Sequence, residues 1–239
     1  MDKSQKVYDV FETIAPTYDG ANTRISLGLE AAWKEALIRD VSAFVPAGGR
    51  VLDVCCGTGD IALGIQESRP DIGVTGLDFS PAMLQVAKAK DIKQKIRWQC
   101  GNALHLPFRE HTFSAVTISF GLRNTTDYGA VLEEMRRVTT PNGRLYCLDS
   151  FVPSSPWIRP FYTAYFRYLM PFLGGGVKKR APYQWLFTST QQFLRASALG
   201  QVMAQAGWKR IERKPFLFGA CELLMGETDG EEIDSDCFT

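Results

Sequence analysis

Acidic residues are missing from Ser150 to Ile211, although Arg159, Arg167, Lys178, Lys179, Arg180, Arg195, Lys209 and Arg210 all fall there. The acids gather instead at the end, where residues 227–239 hold six acids and no base. The net charge of +1 therefore hides a basic body and an acidic tail that reads as disordered and solvating. No C-x-x-C spacing occurs among the six cysteines, which argues against zinc and dithiol redox motifs. Cys55, Cys56, Cys100 and Cys147 lie in apolar, strand-like runs, where small buried hydrophobes belong. Free thiols fit a reducing, cytoplasmic compartment. Histidine is scarce; His105 and His111 sit in polar loops and read as surface residues, so no metal site is expected. No apolar run approaches the roughly 18 residues of a membrane-spanning helix, and no secretory signal precedes the first helix. No nucleic-acid module accompanies the basic residues, so nucleic acid is not an expected partner.

The 239 residues, 45% of them hydrophobic, suit one sizeable α/β domain, placed at 1–226. Residues 1–45 read as a helical lid. Val7, Val10, Phe11 and Ile14 share one helical face before Pro16, and Leu29, Trp33, Leu37, Val41 and Phe44 share another. Tyr18–Asn22 between them reads as a polar turn. From Arg50 strands and helices alternate: strands at 50–56, 72–78, 96–100, 113–120 and 144–148, the last entered through a Pro141-Asn142-Gly143 turn. Ser80-Pro81 caps the helix after the second strand. A helix at 191–206 and strands at 208–213 and 216–225 complete the sheet with an antiparallel edge. The pattern predicts a Rossmann-like, mostly parallel seven-stranded sheet with helices on both faces. Residues 151–187 break the rhythm with eleven aromatics and read as a helical insertion covering the functional edge of the sheet.

Residues 51–60, Val-Leu-Asp-Val-Cys-Cys-Gly-Thr-Gly-Asp, describe a buried strand that delivers a glycine turn to the mouth of such a sheet. Gly57 and Gly59 let the main chain pass close under a ligand. The turn also fits the dinucleotide pattern G-x-G-x-x-A, with Asp78 at the position of the ribose-binding acid. Asp53 separates the two readings by charge. It would repel a pyrophosphate, whereas S-adenosylmethionine (SAM) brings a sulfonium and an ammonium group. The arrangement resembles the class I SAM-dependent methyltransferases.

Each strand end then offers a candidate. Asp78, followed by Phe79, can accept the ribose hydroxyls; Asn102-Ala103 can read the adenine edge; Thr58 can reach the methionine part or brace the turn. Asn102 also suits an Asx-turn. Ser119-Phe120-Gly121-Leu122-Arg123-Asn124 places a cation and an amide at the functional edge of the sheet.

With Thr117 and Ile118 before it, that stretch resembles the signature of the ubiquinone/menaquinone biosynthesis C-methyltransferases. Tyr18-Asp19-x-x-Asn22-x-x-x-Ser26-x-Gly28, Trp33-Lys34, Leu106-Pro107-Phe108 and Arg136-Arg137-Val138 agree with it, and the resemblance spans about 7–226. It implies SAM at Thr58, Asp78, Asn102, Ala103 and Ser119, and a quinone ring facing Arg123. The implied acceptor is a demethylated polyprenyl quinol, demethylmenaquinol first, with another aromatic or polyketide molecule as the alternative. A SAM-binding protein without catalysis is the remaining reading. Arg123 is too weak an acid to serve as a direct base; it can steady a phenolate or orient a water, with Asn124 beside it. Asp149 is the second candidate for the proton, and Tyr18 can close over both ligands. A homodimer and peripheral membrane contact through 151–187 complete the expectation. Three departures stand out: Glu30 where the family commonly has histidine, Leu148-Asp149-Ser150-Phe151 for Leu-Glu-Phe-Ser, and Lys178-Lys179-Arg180 after Gly176.

Overall fold

Successive residues of a strand point to opposite faces of its sheet, and along the central strand both faces are apolar. In the computed structural model, which describes residues 3–153, 155–165 and 188–230, β1 (Arg50–Val54) lies beside that central strand and is buried from Val51 to Val54. The sheet also contains β2 (Gly73–Asp78), β3 (Arg97–Cys100), β4 (Phe113–Ser119), β5 (Thr139–Ser150), β6 (Lys209–Phe216) and β7 (Cys221–Glu227). Their order is β3-β2-β1-β4-β5-β7-β6. Strands β1 to β5 pair in parallel, and β7 runs antiparallel to both its neighbours. Chain order reverses between β1 and β4, the crevice where an open α/β sheet binds its ligands.

Leu52, Val54, Val116 and Ile118 pack on one face with Leu132 and Met135 of α6 (Tyr128–Val138) and Leu199 and Met203 of α8 (Ala196–Gln205). Val51, Ala115 and Leu148 face Leu37 and Val41 of α3 (Leu29–Phe44) and Ile61 and Ile65 of α4 (Asp60–Ser68). Each such large side chain contributes about 1.5–3 kcal/mol by leaving water. Helix α5 (Pro81–Lys90) starts as expected: Ser80 Oγ accepts the Met83 N–H at 3.2 Å and Pro81 occupies the first turn. The cover consists of α1 (Lys3–Ile14) and α2 (Tyr18–Ile25), with Pro16 in the 3₁₀ turn between them. Helix α3 belongs to the core instead, since Leu37 and Val41 are fully buried. A short α7 (Arg159–Ala164) follows β5.

Several local expectations change. Tyr18–Asn22 is the start of α2 rather than a polar turn. Asp19 in its first turn and Arg24 in its last suit the helix dipole, and the Thr23 hydroxyl donates back to the Asp19 carbonyl at 3.1 Å. The turn at 141–143 is absorbed into β5, where Asn142 takes φ 58° and the register with β4 slips between Phe113 and Ala115. The helix expected over 191–206 is interrupted at 193–195. The closing strands do finish the sheet as the expected antiparallel edge, with β7 between β5 and β6 and β6 outermost. Cys100 ends the opposite edge strand and is exposed, while Cys55 and Cys56 are half-buried in the turn after β1. The acidic tail starts as structure: Glu227 closes β7, and the Thr228 hydroxyl accepts the Gly143 N–H at 2.9 Å and donates to the Thr140 carbonyl at 2.7 Å. Most of the aromatic insertion, Cys237 and the rest of the tail lie outside the described residues.

Candidate cofactor and acceptor sites

The end of β1 turns through Cys55 (φ 54°), Gly57 (φ 54°) and Gly59 (φ 88°). A Cβ on Gly59 would lie 2.6 Å from the Trp98 ring, so backbone and packing both require glycine there. Asp78 shapes the same turn. Its Oδ2 accepts the Gly57 N–H at 2.8 Å and its Oδ1 the Ser80 N–H at 2.9 Å. Burial pushes the Asp78 carboxyl up to about 6, against the pull of those backbone donors. Asp53 is buried beside it, and Thr117 Oγ1 donates to its Oδ1 at 2.7 Å. Among the described residues its other oxygen has no hydrogen bond of normal geometry, although the Ala62 N–H helps to steady its charge. Burial pushes Asp53 up to about 7. The Ser119 hydroxyl is buried without a hydrogen-bond partner among the described residues. Two acids short of compensating charge and an orphaned hydroxyl fit a ligand carrying cations and hydroxyls, as SAM does.

Three hollows that share lining residues lie at this end of the sheet, two of them against the turn. A cavity of about 200 Å³ is lined by Gly57, Asp78, Phe79, Asn102, Ala103, Ser119 and Asn124. A cavity of about 520 Å³ is lined by Tyr18, Asn22, Glu30, Arg123, Tyr162 and Phe218, among others. A hollow of about 40 Å³ takes in Asp53, Thr58, Gly57 and Ser119. Tyr18 and Phe120 border all three. Phe120 holds φ 56°, a strained setting for an aromatic residue and a mark of a site the fold over-determines.

The structure thus brings most of the expected residues together and separates a few. Arg123 lines the larger cavity, forms an ion pair with Asp149, and lies over the Phe120 ring at 5.4 Å. Asp149 is wholly buried behind it, also accepts the Ser150 N–H at 2.8 Å, and lines none of the three hollows. Asn124 lies on the smaller cavity instead, its amide donating to the Phe120 carbonyl at 3.2 Å. Asn102 forms an Asx-turn, Oδ1 accepting the Leu104 N–H at 3.0 Å, while still lining the smaller cavity. Gly59 packs under Trp98 rather than lining a hollow. His105 and His111 are exposed, and the described residues hold no cluster suited to a metal ion.

Polar contacts tie the cover to the turn. Thr58 Oγ1 donates to Asp19 Oδ1 at 2.5 Å, and Lys90 bridges Asp19 at 2.6 Å and Asp60 at 2.8 Å. Lys34 reaches Asp60 at 2.8 Å. Glu12 accepts from the Ser80 hydroxyl at 2.6 Å and the Ala82 N–H at 3.1 Å. Tyr8 and Phe11 rest edge-on against Phe79. Sequence reasoning missed these partners, and it missed Leu217 and Phe218, which sit at the exposed tip of the β6–β7 hairpin and border the larger cavity. An apolar pair at a hairpin tip was the available signal.

Residues 1–227 match the model of the ubiE/COQ5 methyltransferase family. A demethylmenaquinone methyltransferase of Bacillus cytotoxicus is 40% identical, covering 94% of this chain and 96% of its own. A demethylmenaquinone methyltransferase of Bacillus cereus (strain B4264) is 41% identical over the same shares. Among solved structures, the [4+2]-cyclase SpnF superposes with a TM-score of 0.68 at 17% identity, covering 95% of this chain and 97% of its own. A SAM-dependent methyltransferase from Aquifex aeolicus gives 0.59 at 17% identity, covering 81% and 88%. At such identity these structures bear on the fold alone, and the cyclase shows that the fold serves more than one chemistry. The sequence match carries the assignment further: the chain belongs to the ubiE/COQ5 methyltransferase family.

Proposed function

We propose that the chain methylates a ring carbon of a demethylated polyprenyl quinol, demethylmenaquinol first, using SAM. The observation that carries this reading is the meeting of two unlike cavities at Tyr18 and Phe120. The smaller holds the acids and amides suited to an adenosyl group. The larger is mainly apolar, carries one buried guanidinium, and at about 520 Å³ falls in the range of small-molecule sites. The relatives named demethylmenaquinone methyltransferase support the choice of acceptor.

SAM supplies a methyl group already activated by its sulfonium. The residues have separate tasks. Asp78 takes the ribose hydroxyls while its backbone contacts hold the Gly57 turn. Asn102 and Ala103 border the adenine, with Phe79 beside them. Asp53, Thr58 and Ser119 face the charged end of the cofactor. Arg123 stabilises the negative charge that grows on the acceptor oxygen, because a fixed cation in a dry site needs no reorganisation. Asp149 is a positioning residue: it holds that guanidinium in place and is itself sealed from the acceptor. Tyr18 and the α1–α2 cover exclude water and keep ring carbon and methyl in line.

The mouth of the larger cavity is rimmed by exposed Leu27, Leu29, Phe161, Leu217 and Phe218. The prenyl tail leaves through this rim, and the rim rests against a bilayer, with exposed Arg24 and Arg159 nearby in sequence to meet anionic headgroups. Among the described residues no helix is long and apolar enough to cross a membrane, so contact is peripheral.

Incubation with methyl-labelled SAM and a short-tailed demethylmenaquinol tests the function. Label is expected in the extracted quinol. Clear SAM binding with no label in the quinol would sink this reading.

A further inference from the structure

Glu30 lies in the first turn of α3, just after Gly28 in left-handed conformation. An acid there with Lys34 four residues on would ordinarily be a solvated helix pair. Here the side chain is buried and lines the larger cavity with Tyr18, Asn22, Trp33 and Arg123. Its pairing is loose. Lys34 Nζ is 3.3 Å from Glu30 Oε1 but 2.8 Å from Asp60, its closer partner. The second carboxylate oxygen takes no hydrogen bond among the described residues.

We propose that Glu30 is the proton acceptor for the acceptor's ring hydroxyl, an inference that rests on the quinol reading above. The other acid near Arg123, Asp149, is sealed behind the guanidinium, and Arg123 cannot give up its proton at working pH. The quinol O–H bond breaks, its proton passes to the Glu30 carboxylate, and the electron pair stays on oxygen and spreads into the ring. The ortho carbon forms a bond to the methyl group, and the pair of the breaking C–S bond remains on sulfur. The hydrogen on that carbon then moves back to the oxygen, restoring the aromatic hydroxyl. Glu30 releases its proton to water, so one proton leaves for each methyl gained.

The charged surroundings suit a base. Lys34 lies on the same helix, Asp60 on α4, Asp19 and Tyr18 on α2, and Arg123 after β4. Burial raises the Glu30 carboxyl above its usual value, Asp60 and Asp19 add to this, and Lys34 opposes it. The ionised form does the work, so the rate falls as pH drops through that raised value.

The experiment follows kcat and kcat/KM for short-tailed demethylmenaquinol across pH in the wild type, Glu30→Gln and Glu30→His. SAM affinity by calorimetry serves as the check of folding. Quinol binding to the SAM-free protein, read through tryptophan fluorescence, is the readout apart from turnover. Glu30→Gln is expected to bind both ligands within about threefold, lose about 100-fold in kcat, and lose the acidic limb of the profile. Glu30→His should recover at least about tenfold, with its limb near the imidazole value of about 6.5. If Glu30→Gln loses SAM binding, Glu30→His decides: a limb moved to the imidazole range supports the base, and an unmoved one overturns it. Retention of kcat and of the acidic limb in Glu30→Gln overturns the proposal alone. No transfer by the wild type overturns the quinol reading, and the proposal falls with it.

Discussion

Asp53 sits where binding and stability pull in opposite directions. Burial raises it from about 3.8 to about 7. The unfolded chain ionises this carboxyl first, so folding stability falls as pH rises between those two values. Asp53→Asn keeps an acceptor for Thr117 and has nothing to ionise. The variant should therefore melt higher than the wild type at pH 8 in the absence of SAM, with the gap closing toward pH 4. Its SAM affinity at pH 8 should drop. Melting curves at the two pH values check this; equal melting temperatures at pH 8 would show that Asp53 carries no such cost. The placing of this acid beside the glycine turn was legible, because Asp53, Gly57 and Gly59 are neighbours in sequence and Asp78 follows one βα unit later. Glu30 and Asp149 were not legible in the same way. Whether Glu30 turns inward depends on how α3 meets the cover, and Asp149 is hidden by a partner 26 residues away.

At the scale of elements, both apolar packing and charge tie the cover to the body: Val7, Ala15 and Ile25 are buried, and Phe11 packs on Phe79. Asp19 reaches both the glycine turn, through Thr58, and α5, through Lys90. Both partners of the Asp19–Lys90 pair are about a third exposed, so the pair contributes on the order of 1 kcal/mol. Asp19→Ala should speed release of a bound SAM analogue about fivefold in stopped flow, and should blunt its salt dependence. An unchanged release rate would mean that the cover does not gate the site. Periodicity located α1 and α3 well, since an apolar face repeats in the sequence itself. It failed at α2, whose polar residues are helical because of what they touch. The antiparallel edge was foreseen, but not the order within it, because the slot of β7 between β5 and β6 is a property of pairing and not of local composition.

For the whole molecule, the uneven surface carries the remaining claim. Five exposed apolar side chains ring one cavity mouth, and the hairpin tip that supplies two of them is held at φ 44° and 56°. Aspartate tolerates that backbone better than most residues, so Phe218→Asp should spare the fold. It should reduce co-sedimentation with phosphatidylglycerol vesicles several-fold and leave SAM affinity intact. Equal sedimentation would remove this rim from any membrane contact. The central claim is a division of labour, with the cofactor at the glycine turn and the acceptor beside Arg123. A crystal structure with S-adenosylhomocysteine and a short-tailed menaquinol tests it most directly. The ribose is expected on Asp78 and the quinol ring against Arg123 and Glu30, its tail passing Phe218. A ring bound anywhere else, with Arg123 and Glu30 untouched, would contradict it.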